Sequence, residues 1–90
     1  MNSKLEDFVN SLKLPAEGEY ANNEYVIKFD NSDDFSDIFN FISLKKTLTA
    51  EDHMVATEES CISTFTDGWY EIKLIADFDN DIYRVVVGER

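Results

Sequence analysis

Residues 60–89 read SCISTFTDGWYEIKLIADFDNDIYRVVVGE, and this stretch decides the fold. Runs of strand-forming residues flank Asp67-Gly68, a dipeptide suited to a two-residue type I′ turn, which predicts a β-hairpin. A second hairpin is predicted through DFDND, residues 77–81. The residues expected to share one face of this hairpin are Tyr70, Ile72, Leu74 and Ala76, with Tyr83, Val85 and Val87 on its second strand. From about Met54 to the end, the sequence therefore predicts antiparallel sheet.

The segment SKLEDFVNSLKLP, residues 3–15, predicts a short helix. Its apolar residues recur at i, i+3, i+4 and i+7, which places them on one helical face; they are Leu5, Phe8, Val9 and Leu12. Ser3 and Glu6 have the spacing of a capping box. Pro15 excludes helix beyond Leu14.

The segment NSDDFSDIFNFISLKK, residues 31–46, predicts a second helix after a strand formed by EYVIKFD, residues 24–30. The helix is expected to start near Asn31 or Ser32 and to run to about Lys46. Its apolar stripe consists of Phe35, Ile38, Phe39 and Ile42. Asp33, Asp34 and Asp37 suit the positive end of the helix dipole, and Lys45 and Lys46 suit the negative end.

Two further apolar residues of this helix, Phe41 and Leu44, project away from the stripe. Either the helix is buried on two sides or it exposes an apolar edge. TLTAEDH, residues 47–53, is expected to be a loop. Together these elements predict one acidic α+β domain over residues 1–90, with two helices on one face of an antiparallel sheet of four to five strands, in the order α-β-α-β-β-β.

Charge and composition limit the function classes. Hydrophobic residues make up 43% of the chain, too many for a disordered protein, while 19 Asp and Glu against 8 Lys and Arg give a net charge of −11. Direct binding to nucleic acid or to an anionic membrane is not expected, because both need a basic surface. The N-terminus has no signal-peptide core, and the single cysteine, Cys61, suits a reducing compartment. The expected location is the cytoplasm.

No motif for catalysis, metal binding or cofactor binding is recognised. The sequence therefore predicts no catalytic residues, no metal ligands and no cofactors. DFDND spaces Asp77, Asp79 and Asp81 as the first ligands of a calcium loop, but Ile82 and Gly88 stand where that loop needs glycine and glutamate. His53 has no second histidine or cysteine at zinc spacing. Cys61 lies in an alternating strand pattern and is expected to be a small buried apolar residue.

One resemblance concerns DGWYEIKLIADFDNDIYRVVV, residues 67–87. This segment resembles the C-terminal hairpin of the RelE/HigB-type toxins, which are ribosome-dependent mRNA interferases. Those toxins hold RNA with basic residues, and the matching region here keeps Lys73 and Arg84. No active-site residue of that family is carried over. In charge, length and element order, the chain is also similar to the uracil-DNA glycosylase inhibitor of phage.

Three function classes follow from these patterns. The expected function is inhibition of a basic, nucleic-acid-handling enzyme such as a nuclease, by an immunity-type or phage-type protein whose carboxylates take the place of phosphates. The carboxylates expected to bind are Glu17, Glu19, Glu24, Glu58, Glu59, Asp77, Asp79 and Asp81, in one or two acidic rims. The alternative is an interaction module that docks on a protein through Phe41, Leu44 or Trp69, with the charge serving solubility. The third class is an enzyme. The oligomeric state is left open.

Overall fold

The computed structural model describes residues 3–51, 55–56 and 60–90. The helices are α1 (Ser3–Leu12) and α2 (Ser32–Ser43), and the strands are β1 (Glu19–Ala21), β2 (Glu24–Phe29), β3 (Thr49–Ala50), β4 (Val55–Ala56), β5 (Ser60–Thr66), β6 (Tyr70–Asp77) and β7 (Ile82–Glu89). Both helices pack on one face of an antiparallel sheet. The predicted α+β class and two-layer arrangement are confirmed.

The sheet has more strands than the four to five predicted, and its element order differs accordingly. Six strands lie in the spatial order β1-β2-β7-β6-β5-β3, and β4 pairs with β5 beside β3. Residues 47–53 were expected to be a loop, but strand β3 lies within them and pairs with β5. The other additional strand, β1, lies in a segment that was expected to be a polar connection. It forms because Asn22 and Asn23, with φ of 51° and 63°, make a two-residue turn between β1 and β2. Positive φ at both central residues is the requirement of a type I′ turn, and asparagine tolerates it.

The turn between β5 and β6 lies one residue later than predicted. Thr66 pairs with Glu71, so the two central residues are Gly68 and Trp69 rather than Asp67 and Gly68. Gly68 has a φ of +100°, which suits a glycine at the first central position of a type II′ turn. The carboxylate of Asp67 accepts the backbone N–H groups of Trp69 and Tyr70 at 2.9 and 2.8 Å. The aspartate therefore closes the turn with its side chain.

The core lies between the helices and one face of the sheet. Alternate residues of the central strands are buried there, as the hairpin pattern predicts: Ile27, Ile72, Leu74, Ala76, Tyr83, Val85 and Val87. The helices contribute Leu5, Val9, Leu12, Phe35, Ile38 and Ile42. Phe8 of α1 stacks on Tyr70 with ring centroids 4.6 Å apart. On the other face of the sheet, Val26, Ile75 and Val86 are half-buried, and Lys28, Lys73 and Arg84 are exposed.

Helix α1 ends before Pro15, as predicted, and helix α2 ends about three residues earlier than predicted. In α1 the last helical residue is Leu12, and Lys13 adopts a left-handed φ of 52°. The side chain of Ser3 lies outside the described side chains, so the capping box stays a prediction. Helix α2 ends at Ser43, whose hydroxyl donates to the carbonyl of Asn40 at 2.9 Å in the last turn. Such side-chain bonds compete with the helical pattern.

The early end of α2 places Lys45 and Lys46 beyond its last turn, so the prediction that they complement the helix dipole is wrong. At the other end, Asn31 is the N-cap, as expected, and its side chain accepts the backbone N–H of Asp34 at 2.9 Å. A membrane-spanning helix needs about 20 apolar residues. Within the described ranges, no helix is long and apolar enough to span a bilayer.

Candidate partner-binding site

Two acidic segments that are far apart in the sequence meet at one end of the sheet. Asp30 follows β2 directly, and the last residue of β2, Phe29, pairs with Tyr83 of β7. Asp77 ends β6 and pairs with Ile82, and Asp81 immediately precedes β7. Asp30, Asp77 and Asp81 consequently line one open cleft. We call this surface the aspartate end; it comprises Asp30, Asp33, Asp34, Asp77, Asp79 and Asp81.

The first half of the aspartate end is built around Asn31. Its side-chain amide donates to Asp30 Oδ1 at 3.2 Å and to Asp34 Oδ2 at 3.1 Å, while its oxygen caps α2. One neutral side chain thus holds two carboxylates apart. Asp33 is exposed in the first turn of α2, where the helix dipole favours negative charge.

The second half of the aspartate end is the turn between β6 and β7. The carboxylate of Asp77 accepts the backbone N–H of Asn80 at 3.3 Å and its side-chain amide at 2.9 Å. Asp81 adopts a left-handed φ of 50°, which aspartate tolerates better than most residues. Asp79 lies at the exposed tip between them. The turn predicted for DFDND is confirmed.

The charge of the aspartate end is only partly balanced. None of its carboxylates forms an ion pair within the described part of the chain; ion pairs lie elsewhere, at Lys73–Glu71 (3.4 Å) and Arg90–Glu51 (2.6 Å). Lys28 and Arg84 line the same cleft as Asp30, Asp77 and Asp81, on the side of the uncovered sheet face. Because the aspartates outnumber these two cations, the end presents a net negative surface.

Tyr83 connects the aspartate end to the core. Its hydroxyl donates to Asp81 Oδ1 at 3.4 Å, and the residue is 3% exposed. Burial raises the pKa of Tyr83 above its usual value, and the negative charges of Asp81 and Asp77 raise it further. The Ser32 hydroxyl acts in the opposite direction. Tyr83 is therefore a neutral hydrogen-bond donor at the base of the negative surface.

Two exposed apolar side chains, Phe78 and Ile82, lie among the aspartates. They are 49% and 47% exposed, and neither was predicted to bind a partner. A neighbouring groove of about 230 Å³ runs between α2 and the sheet. Its apolar walls include Phe35, Phe39, Cys61, Ala76, Phe78 and Tyr83. Sequence alternation could not have found Phe78, because it lies in a turn rather than in a strand.

The candidates Glu17, Glu19 and Glu24 lie in or next to the β1–β2 hairpin, at the edge of the sheet that β1 forms. Glu24 begins β2, so roughly 17–20 Å separates it from Asp30, whereas Glu19 pairs with Val26 near the middle of that strand. These three glutamates are spread along the β1 edge of the sheet, and none of them lines the cleft of the aspartate end. Beside these glutamates, burial and the charge of Glu6 raise the pKa of Tyr20 above its usual value.

The remaining candidates are distributed over several elements. Phe41 is half-buried against the core, with the Lys45 ammonium 4.6 Å from its ring centroid. Leu44, at the C-cap of α2, is 81% exposed, and Trp69, in the β5–β6 turn, is 79% exposed. Helix α2 is therefore buried on its stripe side and at Phe41, and it exposes an apolar residue at its end. Glu58 and Glu59 lie outside the described residues.

Metal-binding geometry was searched over residues 3–51, 55–56 and 60–90. No group of three or more His, Cys, Asp or Glu side chains in these ranges is arranged to hold a metal ion. His53 lies outside them. Cys61 is a half-buried free thiol, 3.9 Å from the Ser63 hydroxyl.

Comparison of the chain with protein-family models, with curated proteins and with solved structures finds no match. The geometry and charge of the site are therefore the basis for a proposed function.

Proposed function

We propose that this protein is a small acidic inhibitor that binds the basic groove of a nucleic-acid-handling enzyme. The carboxylates of the aspartate end occupy the positions that phosphates take in the nucleic-acid complex. The observation that carries the proposal is the meeting of residues 30–34 with residues 77–81, which concentrates carboxylates that have no ion-pair partners in the described chain. No catalytic residue is assigned, and the cytoplasm is the proposed location.

Such an interface would be formed by ion pairs between these carboxylates and basic side chains of the enzyme. Arginine and lysine side chains that bind phosphates also bind carboxylates through charge-assisted, often bidentate hydrogen bonds. Opposite charges on the two surfaces also accelerate their encounter, and salt weakens this acceleration. Phe78 and Ile82 add apolar contact at the centre of the charged surface. Tight protein interfaces commonly combine an apolar centre with a polar rim.

The carboxylates of the aspartate end differ in how much they support the fold. Asp30, Asp34, Asp77 and Asp81 accept hydrogen bonds from Asn31, Asn80 or Tyr83. In the described structure, Asp33 and Asp79 accept no side-chain or turn hydrogen bond, and both are exposed. These two residues are therefore the positions at which charge can be removed with least damage to the fold.

The test compares two variants of equal net charge. Asp33→Asn with Asp79→Asn removes two charges from the aspartate end, and Glu17→Gln with Glu19→Gln removes two from the β1 edge of the sheet. Wild type and both variants are immobilised, exposed to bacterial lysate, and eluted with duplex DNA or with salt; the retained proteins are identified and their affinities measured. We expect nucleic-acid-binding enzymes to be retained and to be released by duplex DNA, which competes for the same groove.

The aspartate variant should lose about ten-fold or more in affinity, equivalent to about 1.4 kcal/mol, while the glutamate variant should bind like wild type. The purified partner's activity on nucleic acid should fall when wild-type protein is added. Equal losses in both variants would show that only overall charge matters. Retention that neither salt nor DNA reverses would contradict phosphate mimicry.

The alternative, a module that docks through apolar surface, is supported by the exposure of Leu44 and Trp69. It predicts binding that changes little with salt, because apolar contacts are not screened. Leu44→Ser with Trp69→Ser should abolish that binding and leave binding through the aspartate end intact. The same retained partner can be used for both comparisons.

A further inference from the structure

The groove between α2 and the sheet lies next to the aspartate end and has no role in the proposed charge contacts. Its floor contains small side chains, Cys61 and Ala76, on the face of the sheet that carries the core. Helix α2 packs over β2 and β7, as the Phe35–Tyr83 ring contact at 5.2 Å shows, and does not fill the space above these small residues. A recess therefore stays open beside Phe39 and Phe78.

The size and lining of the groove suit one apolar side chain. Its volume is about 230 Å³, and an apolar cavity of about 150 Å³ is enough to bind benzene. Its aromatic walls are preformed by the contacts of Phe35 with Phe39, at 6.3 Å, and of Phe78 with Tyr83, also at 6.3 Å. Polar groups at its edge come from Ser32, Ser36 and Asn40, and among the residues that the structure describes no carboxylate lines it.

The groove and the aspartate end are adjacent. Tyr83 and Phe78 line the groove, while Tyr83 donates to Asp81 and Phe78 separates Asp77 from Asp79 in the turn. On the helix, Ser32 lines the groove and Asp33 follows it. A chain segment that places an apolar side chain in the groove thus brings its neighbouring residues next to carboxylates. Charge complementarity requires those neighbours to be lysine or arginine.

We infer that the groove is the anchor site for a leucine-type side chain in a basic segment of the partner protein. This inference rests on the proposed function and adds its specificity: the aspartates attract basic segments, and the groove selects those with an apolar residue at the centre. An anchor that fills a preformed pocket behind a charged rim is the arrangement of many interface hot spots.

The experiment uses peptides as probes. Three peptides of the form acetyl-Lys-Arg-X-Lys-Arg-amide, with X as leucine, serine or arginine, are titrated into the 90-residue protein by NMR at low and high salt. Because Cys61 is the only cysteine in the chain and lines the groove, its rate of modification by a maleimide gives a second readout. We expect the leucine peptide to bind about ten-fold or more tightly than the serine peptide and to slow modification of Cys61.

Two variants distinguish binding in the groove from binding by the carboxylates. Ala76→Leu fills the groove floor and should remove the preference for leucine while leaving salt-dependent binding of all three peptides. Asp33→Asn with Asp79→Asn should weaken the binding of all three peptides and keep the preference for the leucine peptide. If Ala76→Leu does not fold, Phe78→Ala, which removes an exposed wall, replaces it.

The outcomes test the anchor site and the proposed function separately. Equal binding of the leucine and serine peptides, tighter binding of the arginine peptide, or an unchanged rate at Cys61 would overturn the anchor site. If binding in those cases still weakened with salt and in the aspartate variant, the charge-based function would stand. A leucine preference without any salt dependence would support the anchor site and overturn the proposed function.

Discussion

Asn31 is the residue whose substitution tests most directly how the aspartate end is held together. It caps α2 through the Asp34 N–H and separates the carboxylates of Asp30 and Asp34. Asn31→Ala removes the cap, which costs about 1 kcal/mol in the free energy of unfolding. Because this loss is a hydrogen bond, it should change little with salt.

Asn31→Asp keeps the capping oxygen, and at an ordinary helix N-terminus it would gain about 0.3–1 kcal/mol from the dipole. Here the opposite is expected. The amide nitrogen that it replaces lies 3.2 Å from Asp30 Oδ1 and 3.1 Å from Asp34 Oδ2. Two unit charges 4 Å apart in water repel by about 1 kcal/mol, so two such neighbours outweigh the dipole and the variant loses about 1–2 kcal/mol.

The assay is urea unfolding of wild type, Asn31→Ala, Asn31→Asp and Asn31→Ser in low and high salt. Between about 0.01 and 1 M salt the Debye length falls from about 30 to about 3 Å, so at least half of the Asn31→Asp loss should disappear. Asn31→Ser keeps a neutral cap and is the matched control. If Asn31→Asp were as stable as wild type in low salt, this account would be refuted, since the side chain at position 31 would then not be held close to the carboxylates of Asp30 and Asp34.

Further predictions concern the core, the first hairpin and the alkaline limit of stability. Ile72→Ala, on the buried face, should lower the free energy of unfolding by about 2–5 kcal/mol, whereas Ile75→Ala on the uncovered face should lower it by about 1 kcal/mol or less. Comparable losses in urea unfolding would mean that the faces are assigned wrongly. Gly18→Ala would place its Cβ within clashing distance of the Val26 carbonyl, so it should cost about 1–3 kcal/mol and raise hydrogen exchange in β1; unchanged exchange there would contradict this register. Because the pKa of Tyr83 is raised in the folded state, its stabilising effect is complete below the unfolded value of about 10 and is lost as pH rises above it. Tyr83→Phe should therefore reduce the alkaline loss of stability, and an unchanged pH profile of unfolding would show that Tyr83 is not the group responsible.

The helices and the long strands could be predicted because their signals are local. The i, i+3, i+4, i+7 pattern of residues 35–42 and the alternation of residues 70–87 each report which side chains face the core. Strand β1 was missed because its turn uses Asn22 and Asn23 without a glycine, a weaker signal for positive φ. The turn at Gly68 was placed one residue early because dipeptide preference does not include the side-chain bonds of Asp67.

The candidate site was only partly predictable for a different reason. The sequence predicts that DFDND is a binding rim, and it interprets Asp33 and Asp34 as residues that suit the positive end of the helix dipole, with Asp30 left unexplained. Their meeting depends on the pairing of β2 with β7, strands that are distant in the sequence. Phe78 and Ile82 gain their significance from the same pairing, since single exposed apolar residues are common on protein surfaces.

The carboxylates of the chain differ in whether the fold itself uses them as hydrogen-bond acceptors, and this difference helps to explain the negative charge. Helix capping and turn closure account for Asp34, Asp77 and Asp67, each of which holds a defined hydrogen bond. They do not account for Asp79, which accepts no such bond in the described structure and lies at an exposed tip between other aspartates. Repulsion at this position opposes folding. A serine or asparagine would form the same turn with less repulsion, so the architecture of the hairpin does not require the charge of Asp79, whereas the proposed contact with a basic partner does.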